Sequence, residues 1–279
     1  IPLESVFSPI ENVLLNTTII LIQALVFNWV VNHHNLLGKP TYLPALLYVT
    51  GASLFLPFLI LSPAMICNFL LIWIIYKFLG IYKHGSALSG MYDAGMIIGV
   101  GTIIYFPFIA MVLTLWLCLL IFRPFNWREW VSGIIGFMTV FFFVAVFYYW
   151  NDSLDKFYRI WLPLTSSFPT RFNINIYNYL VLIPVIVIMI LAGIQLRQKF
   201  FRSFVQVRKS FQLLSLMMVV VLLSFYLKAD HPMYHFLLAV PMGAVFMAYY
   251  FLNAMLRWFY ESLYLILLGA IIYFQFSIV

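Results

Sequence analysis

Charge is scarce in this chain. Of 279 residues, 15 are Lys or Arg and 8 are Asp or Glu, so charged side chains make up 8% of the total, against about 25% in an average soluble domain. A water-soluble fold of this size cannot cover its surface with so few charges. That excludes a soluble enzyme, a nucleic-acid-binding protein and a disordered chain. Cysteine is scarcer still: Cys67 and Cys118 are the only two, each inside an apolar run. They are too few for a disulfide framework and read as packing residues. The alternation of apolar and polar residues that marks a membrane β-barrel strand is missing, as is a basic-plus-apolar signal peptide at the start.

Apolar residues fill the space, at 65% of the chain with a mean hydropathy of +1.05. They come in near-continuous runs such as VLIPVIVIMILAGI at 181–194. The class is therefore all-α, a polytopic helical membrane protein. A crossing helix needs about 20 apolar residues. On that basis Asn12–Asn32, Thr41–Phe58, Pro63–Gly80, Trp127–Trp150, Ile176–Leu196, Phe211–Leu227, Met233–Asn253 and Trp258–Ile278 are eight expected spans, all within one helical domain, 1–279. No tandem repeat, low-complexity segment or soluble domain interrupts them.

The run Met91–Phe122 is too long for one untilted helix. Pro107 lacks an N–H and disfavours a helical Phe106, so the run is expected to break near Tyr105-Phe106-Pro107 into a hairpin of two short helices. Charge supports this. With a hairpin, one side of the membrane receives Lys39, Lys77, Lys83, Arg123, Arg128, Arg197, Lys199, Arg202, Arg208, Lys209 and Arg257, eleven in all. The other receives Lys156, Arg159, Arg171 and Lys228, four in all. With one continuous helix the split becomes seven against eight and the bias vanishes. The positive-inside rule then places the eleven-charge side in the cytoplasm and Ile1–Glu11 with the loop Asn151–Asn175 outside, in the periplasm if this is a bacterial inner-membrane protein.

Candidate chemistry is sparse. None of the eight acids sits at the centre of a span, which argues against an ion-driven transporter. Asp93, in GMYDAGMIIGVG, is expected to cap a helix start. Gly95 and Gly99 behind it make a small-xxx-small face for close helix packing. His231 and His235 stand one turn apart and can share a metal. With Pro232 between them and no third ligand near, a water-facing turn is the better account, and His33 and His34 read the same way. No metal or cofactor is expected. The segment RQKFFRSFVQVRK carries Arg197, Lys199, Arg202, Arg208 and Lys209 without an acid. It fits an interfacial stretch on anionic lipid as well as a plain orientation signal. RPFNWREW at Arg123–Trp130 reads as an interfacial anchor beginning the next helix. LDKFYRIWLPL at Leu154–Leu164 fits a short interfacial helix, or a grip on phosphate or sugar through Lys156 and Arg159.

Three stretches, NFLLIWIIYKFLGIYK, MYDAGMIIGVGTIIYFP and LCLLIFRPFNWREWVSGIIGF, together with VFNWVVNHHNLLGKPTYLPALLYV nearer the start, resemble an uncharacterised family of polytopic inner-membrane proteins from Bacteroidota. The resemblance implies localisation and lineage, and one further hydrophobic segment before Ile1. A weaker resemblance, carried by AGMIIGVGTIIYFPFIAMVLTLWLCLLIFRPFNW, is to GT-C glycosyltransferases, which use polyprenyl-linked sugars. It implies that Ile1–Glu11 is the first periplasmic loop, with Glu4 or Glu11 as the catalytic acid. The usual Asp-containing signature of those enzymes is absent. The expected function is thus a non-catalytic membrane subunit or scaffold of an envelope complex, in secretion or gliding machinery. Its partners would be membrane lipids and other integral membrane proteins, not nucleic acid. The alternative is a GT-C-like enzyme at the periplasmic face.

Overall fold

The computed structural model describes residues 9–82, 86–161, 180–199, 204–227, 233–254 and 257–277. Among them the chain is helical, with no strand. Unsatisfied backbone N–H and C=O groups are too costly in hydrocarbon for anything but a helix or a closed barrel. In order the helices are α1 (Pro9–His33), α2 (Leu43–Ala52), α3 (Pro63–Ile81), α4 (Leu88–Ile104), α5 (Val112–Phe122), α6 (Trp127–Trp150), α7 (Leu154–Ile160), α8 (Leu182–Lys199), α9 (Val205–Ser224), α10 (Val240–Asn253) and α11 (Arg257–Ser277). Tight 3-10 turns cover Leu56–Leu59, Phe106–Met111, Phe225–Leu227 and Met233–Ala239.

Six helical stretches among the described residues are long and apolar enough to cross a membrane: Ile10–His33, Pro63–Ile81, Trp127–Trp150, Val205–Leu227, Met233–Asn253 and Trp258–Gln275. The protein is a multi-pass membrane protein by this measure, but with six such helices rather than eight. The expected span Thr41–Phe58 holds a helix of 10 residues, α2, followed by extended Phe55 and the 3-10 turn Leu56–Leu59. Phe55 is extended (φ −131°, ψ 144°), and Pro57 in the first turn of the 3-10 stretch has no N–H to continue the ladder of α2. The expected span Ile176–Leu196 is helical from Leu182 to Lys199, with Pro184 in the first turn, where its missing N–H costs nothing.

The helices form two compact units: Ile1–Ser62 with Arg171–Arg208 and Ala239–Val279, and Pro63–Thr170 with Lys209–Leu238. In the first unit the residues 41–61 run antiparallel to α1 over most of its length. Asn32 exchanges two hydrogen bonds with Thr41, giving its Nδ2–H to the carbonyl at 3.1 Å and accepting the backbone N–H at 3.2 Å. The Tyr48 hydroxyl donates to Gln23 Oε1 at 2.8 Å. Asn16 Nδ2 donates to the Phe58 carbonyl at 3.1 Å, and Asn12 Oδ1 accepts the Leu61 N–H at 3.1 Å. The stretch from 32 to 12 spans roughly 30 Å at 1.5 Å per residue. Asn12, Asn16 and Gln23 are all buried. They lie on the inward face of α1, and Asn12 and Asn16 supply partners that the broken backbone after α2 cannot find in itself. Gln275 of α11 does the same, donating to the Ser53 carbonyl at 2.7 Å.

The second unit is built on α4 and α6, which run parallel in very close contact. Ser132 Oγ donates to the Leu88 carbonyl at 2.7 Å and Tyr92 Oη to Thr139 Oγ1 at 3.3 Å. Further along, Gly95 faces Gly133 and Phe137, and Gly99 faces Val140. The break expected at Tyr105-Phe106-Pro107 is present. Tyr105 is extended (φ −144°, ψ 103°), and its N–H closes α4 on the Gly101 carbonyl at 2.8 Å. Then α5 returns antiparallel to α6: Leu115 packs on Gly133, Trp116 stacks on Trp130 with centroids 6.4 Å apart, and Phe122 meets Tyr82. Both ends of 88–122 therefore lie at the same end of α6.

Candidate functional site

Two polar clusters lie inside the second unit, one at each end of the α4–α5 hairpin. The first is organised by Glu129, in the first turn of α6, where a carboxylate also meets the positive end of the helix dipole. Asn126 caps that helix, its Oδ1 accepting the Arg128 N–H at 3.2 Å. The capped turn drives Glu129 inward, where it is 3% exposed. Its Oε1 accepts the N–H of Ala87, the residue before α4, at 3.0 Å. Its Oε2 stands 3.6 Å from Nε of Arg123, the residue after α5. One carboxylate thus ties the start and the finish of the hairpin to the same point.

The second cluster sits at the ends of α4 and α9. At the end of α9 the chain tightens into the turn Phe225–Leu227, and the Val221 carbonyl in the last helical turn gathers side-chain partners. Ser224 Oγ gives its hydrogen to that carbonyl at 2.7 Å. Nε2 of His235 approaches the same carbonyl at 2.9 Å and Ser224 Oγ at 3.1 Å. A carbonyl can only accept, so Nε2 carries the ring hydrogen and Nδ1 is the lone-pair nitrogen. Tyr105 Oη, 2.9 Å from Nδ1, is then the donor. Pro241 opens α10. It cannot supply the i→i−4 bond to Leu237, so the preceding stretch is a 3-10 turn, and Asn68 of α3 donates to the Leu237 carbonyl instead at 3.0 Å. Cys67, next to Asn68, points its thiol at the Gly101 carbonyl, 3.6 Å away.

This geometry limits the chemistry. A serine activated for nucleophilic attack gives its proton to a histidine lone pair. Here the histidine presents an N–H to Ser224, so the pair holds backbone together and does not activate an oxygen. Among the described residues no three His, Cys, Asp or Glu side chains gather as metal ligands.

The residues singled out from the sequence fall as follows. Gly95 and Gly99 lie against α6: a Cβ at Gly95 would overlap the Gly133 carbonyl oxygen, and one at Gly99 would stand 2.9 Å from the Val140 Cβ. Gly133 and Gly136 complete this seam, Gly136 against the Tyr92 carbonyl. The spacing in SGIIGF was the available signal for them. Asp93 is not a cap. It is the sixth residue of α4, whose N-cap is Ala87, and it pairs with Lys77 Nζ at 2.6 Å. The free N–H groups it was expected to serve lie a turn away. His235 is not water-facing. It is fully buried, with one nitrogen on the Val221 carbonyl and the other on the Tyr105 hydroxyl. His34 is also buried, edge-on to the His33 ring at 5.1 Å, while His33 is exposed. Glu11 is exposed in the first turn of α1. Glu4, Arg171, Arg202 and His231 lie outside the described residues, as do the side chains of Arg159 and Lys199. Arg197 is exposed in the last turn of α8, while Arg208 and Lys209 are half-buried in the first turns of α9. No family model, curated protein or solved structure matches this chain.

Proposed function

We propose that this chain is a non-catalytic, multi-pass subunit or scaffold of a bacterial cell-envelope complex in the inner membrane, of the kind found in secretion or gliding machinery. The observation that carries this reading is the use made of the buried polar side chains. Glu129 closes the α4–α5 hairpin, His235 and Asn68 serve broken helix ends, and Asn12 and Asn16 serve the backbone after α2. Groups that an enzyme or an ion carrier would hold ready for a substrate are spent on backbone in this fold.

In this reading 41–61 crosses the bilayer as an interrupted second span beside α1, and α8 crosses at about 27 Å, close to the hydrocarbon thickness. That restores eight crossings and the charge bias of eleven against four. The basic stretch from Arg197 to Lys209 then faces the cytoplasmic leaflet and its anionic lipid. Topology provides a direct check. Cysteines placed singly at Ser86 and Asn126, both exposed and flanking the hairpin, are expected to be shielded together from an impermeant thiol reagent in intact cells. Labelling at one and protection at the other would show that 88–122 crosses the membrane.

Purification in mild detergent tests the function. The expected result is recovery with other membrane chains at a fixed ratio. The charge-neutral changes Glu4→Gln and Glu11→Gln should leave that ratio and the cellular phenotype intact. A purified chain that turns over a polyprenyl-linked sugar alone, and loses this on either change, would replace the subunit reading with the enzyme.

A further inference from the structure

We infer that His235 is a proton-operated latch on the helix break at Tyr105. The ring is fully buried. The groups the structure places against it are the Tyr105 hydroxyl, the Ser224 hydroxyl, the Val221 carbonyl, and the rings of Phe225 and Phe236 at 5.7 and 6.0 Å. The Tyr234 ring lies tilted against Tyr105 with centroids 6.0 Å apart, and the Cys67 thiol lies on the Gly101 carbonyl one turn before the break. All of these are neutral groups suited to a neutral imidazole.

The hydrogen bonds leave one place for another proton. Nε2 already bears a hydrogen, so the second goes to Nδ1, where the Tyr105 O–H now points. Its arrival turns that hydroxyl around and leaves an imidazolium among aromatic rings with no carboxylate on it among the described residues. A buried charge without a partner is among the costliest things a protein interior can hold. The relief open to the chain is to move the turn Met233–Ala239 off Tyr105 and let the ring meet water. The bond that ties this turn to the end of α4 is then lost, and the hairpin tip around Gly101–Pro107 is released. Histidine is the side chain whose charge changes within the physiological range, so acid opens the latch and neutral pH closes it.

The protein carries its own reporter. Cys67 is fully buried against the segment that would move, while Cys118, on α5, is buried outside the cluster. The intact chain in lipid nanodiscs is treated with a disulfide reagent at about pH 7.5 and about pH 5, on either side of the usual histidine range near 6.5. Mass spectrometry follows each cysteine, and each rate is divided by that of glutathione at the same pH. The Cys67 rate is expected to rise about tenfold in acid, below a ceiling of roughly thirtyfold for an exposed histidine. Cys118 should not change. His235→Gln keeps a donor and an acceptor without a basic nitrogen, and should make Cys67 slow at both pH values. Tyr105→Phe removes the latch bond and should make it fast at both. Equal Cys67 rates at the two pH values in the unaltered chain overturn the proposal, whatever the variants do. So does an acid rise that persists in His235→Gln, or a parallel rise at Cys118.

Discussion

Replacing Gly95 by leucine is expected to leave no correctly folded protein in the membrane. The Cβ alone would overlap the Gly133 carbonyl and sit 2.9 Å from the Phe137 backbone nitrogen. Both obstacles are main chain, so no side-chain rotamer relieves them, and α4 and α6 must move apart along their whole parallel contact. Overpacking with flexible neighbours typically costs about 1–3 kcal/mol. A backbone obstacle belongs above that range, and Gly95→Ala should already be damaging. Gly136→Ala should behave alike, since its Cβ would overlap the Tyr92 carbonyl. Gly80→Ala is the control, because nothing lies within 4 Å of a Cβ there. The measurement is the yield of monodisperse protein after extraction and its midpoint of thermal unfolding in detergent. A normal midpoint for Gly95→Leu would mean that the α4–α6 seam is not the close contact described.

Glu129→Ala is expected to be the most damaging change at a charged residue. Two partners lose their group at once: the Ala87 N–H at the start of α4 and the Arg123 guanidinium after α5, whose side chain is 18% exposed. Leaving one half of a buried pair behind costs about 3–5 kcal/mol, and an orphaned N–H adds about 1–3 kcal/mol. Glu129→Gln retains an oxygen for Ala87 and gives up the charge, so it should fall between alanine and the unaltered protein. Denaturant midpoints of the two variants decide the matter. If both equal that of the unaltered protein, Glu129 does not hold the hairpin ends. The same comparison separates Glu129 from Asp93. The Asp93–Lys77 pair is short but roughly a third exposed, so Asp93→Asn should cost no more than about 1 kcal/mol.

The sequence by itself determined the class, because 8% charge and long apolar runs leave a helical membrane bundle as the one way to satisfy the backbone. It also located the Tyr105–Pro107 break, since proline acts through local sterics that need no partner to be known. The Gly95/Gly99 face was legible from spacing. What it packed against was not, because Gly133 and Gly136 lie some 40 residues away and become neighbours only when α6 runs parallel to α4. The polar residues were the least legible. Asp93 read as a helix cap, His235 as a water-facing turn and Glu129 as part of an interfacial anchor. A polar side chain in an apolar segment takes its role from whichever group lacks a partner, and those groups were created elsewhere: by Pro241 at Leu237 and by the two ends of the hairpin. Only the tertiary structure brings an orphaned backbone group to the side chain that serves it. Such a pairing depends on distance in space, as far as 222 residues along the chain for Gln275 and Ser53, and not on any local pattern.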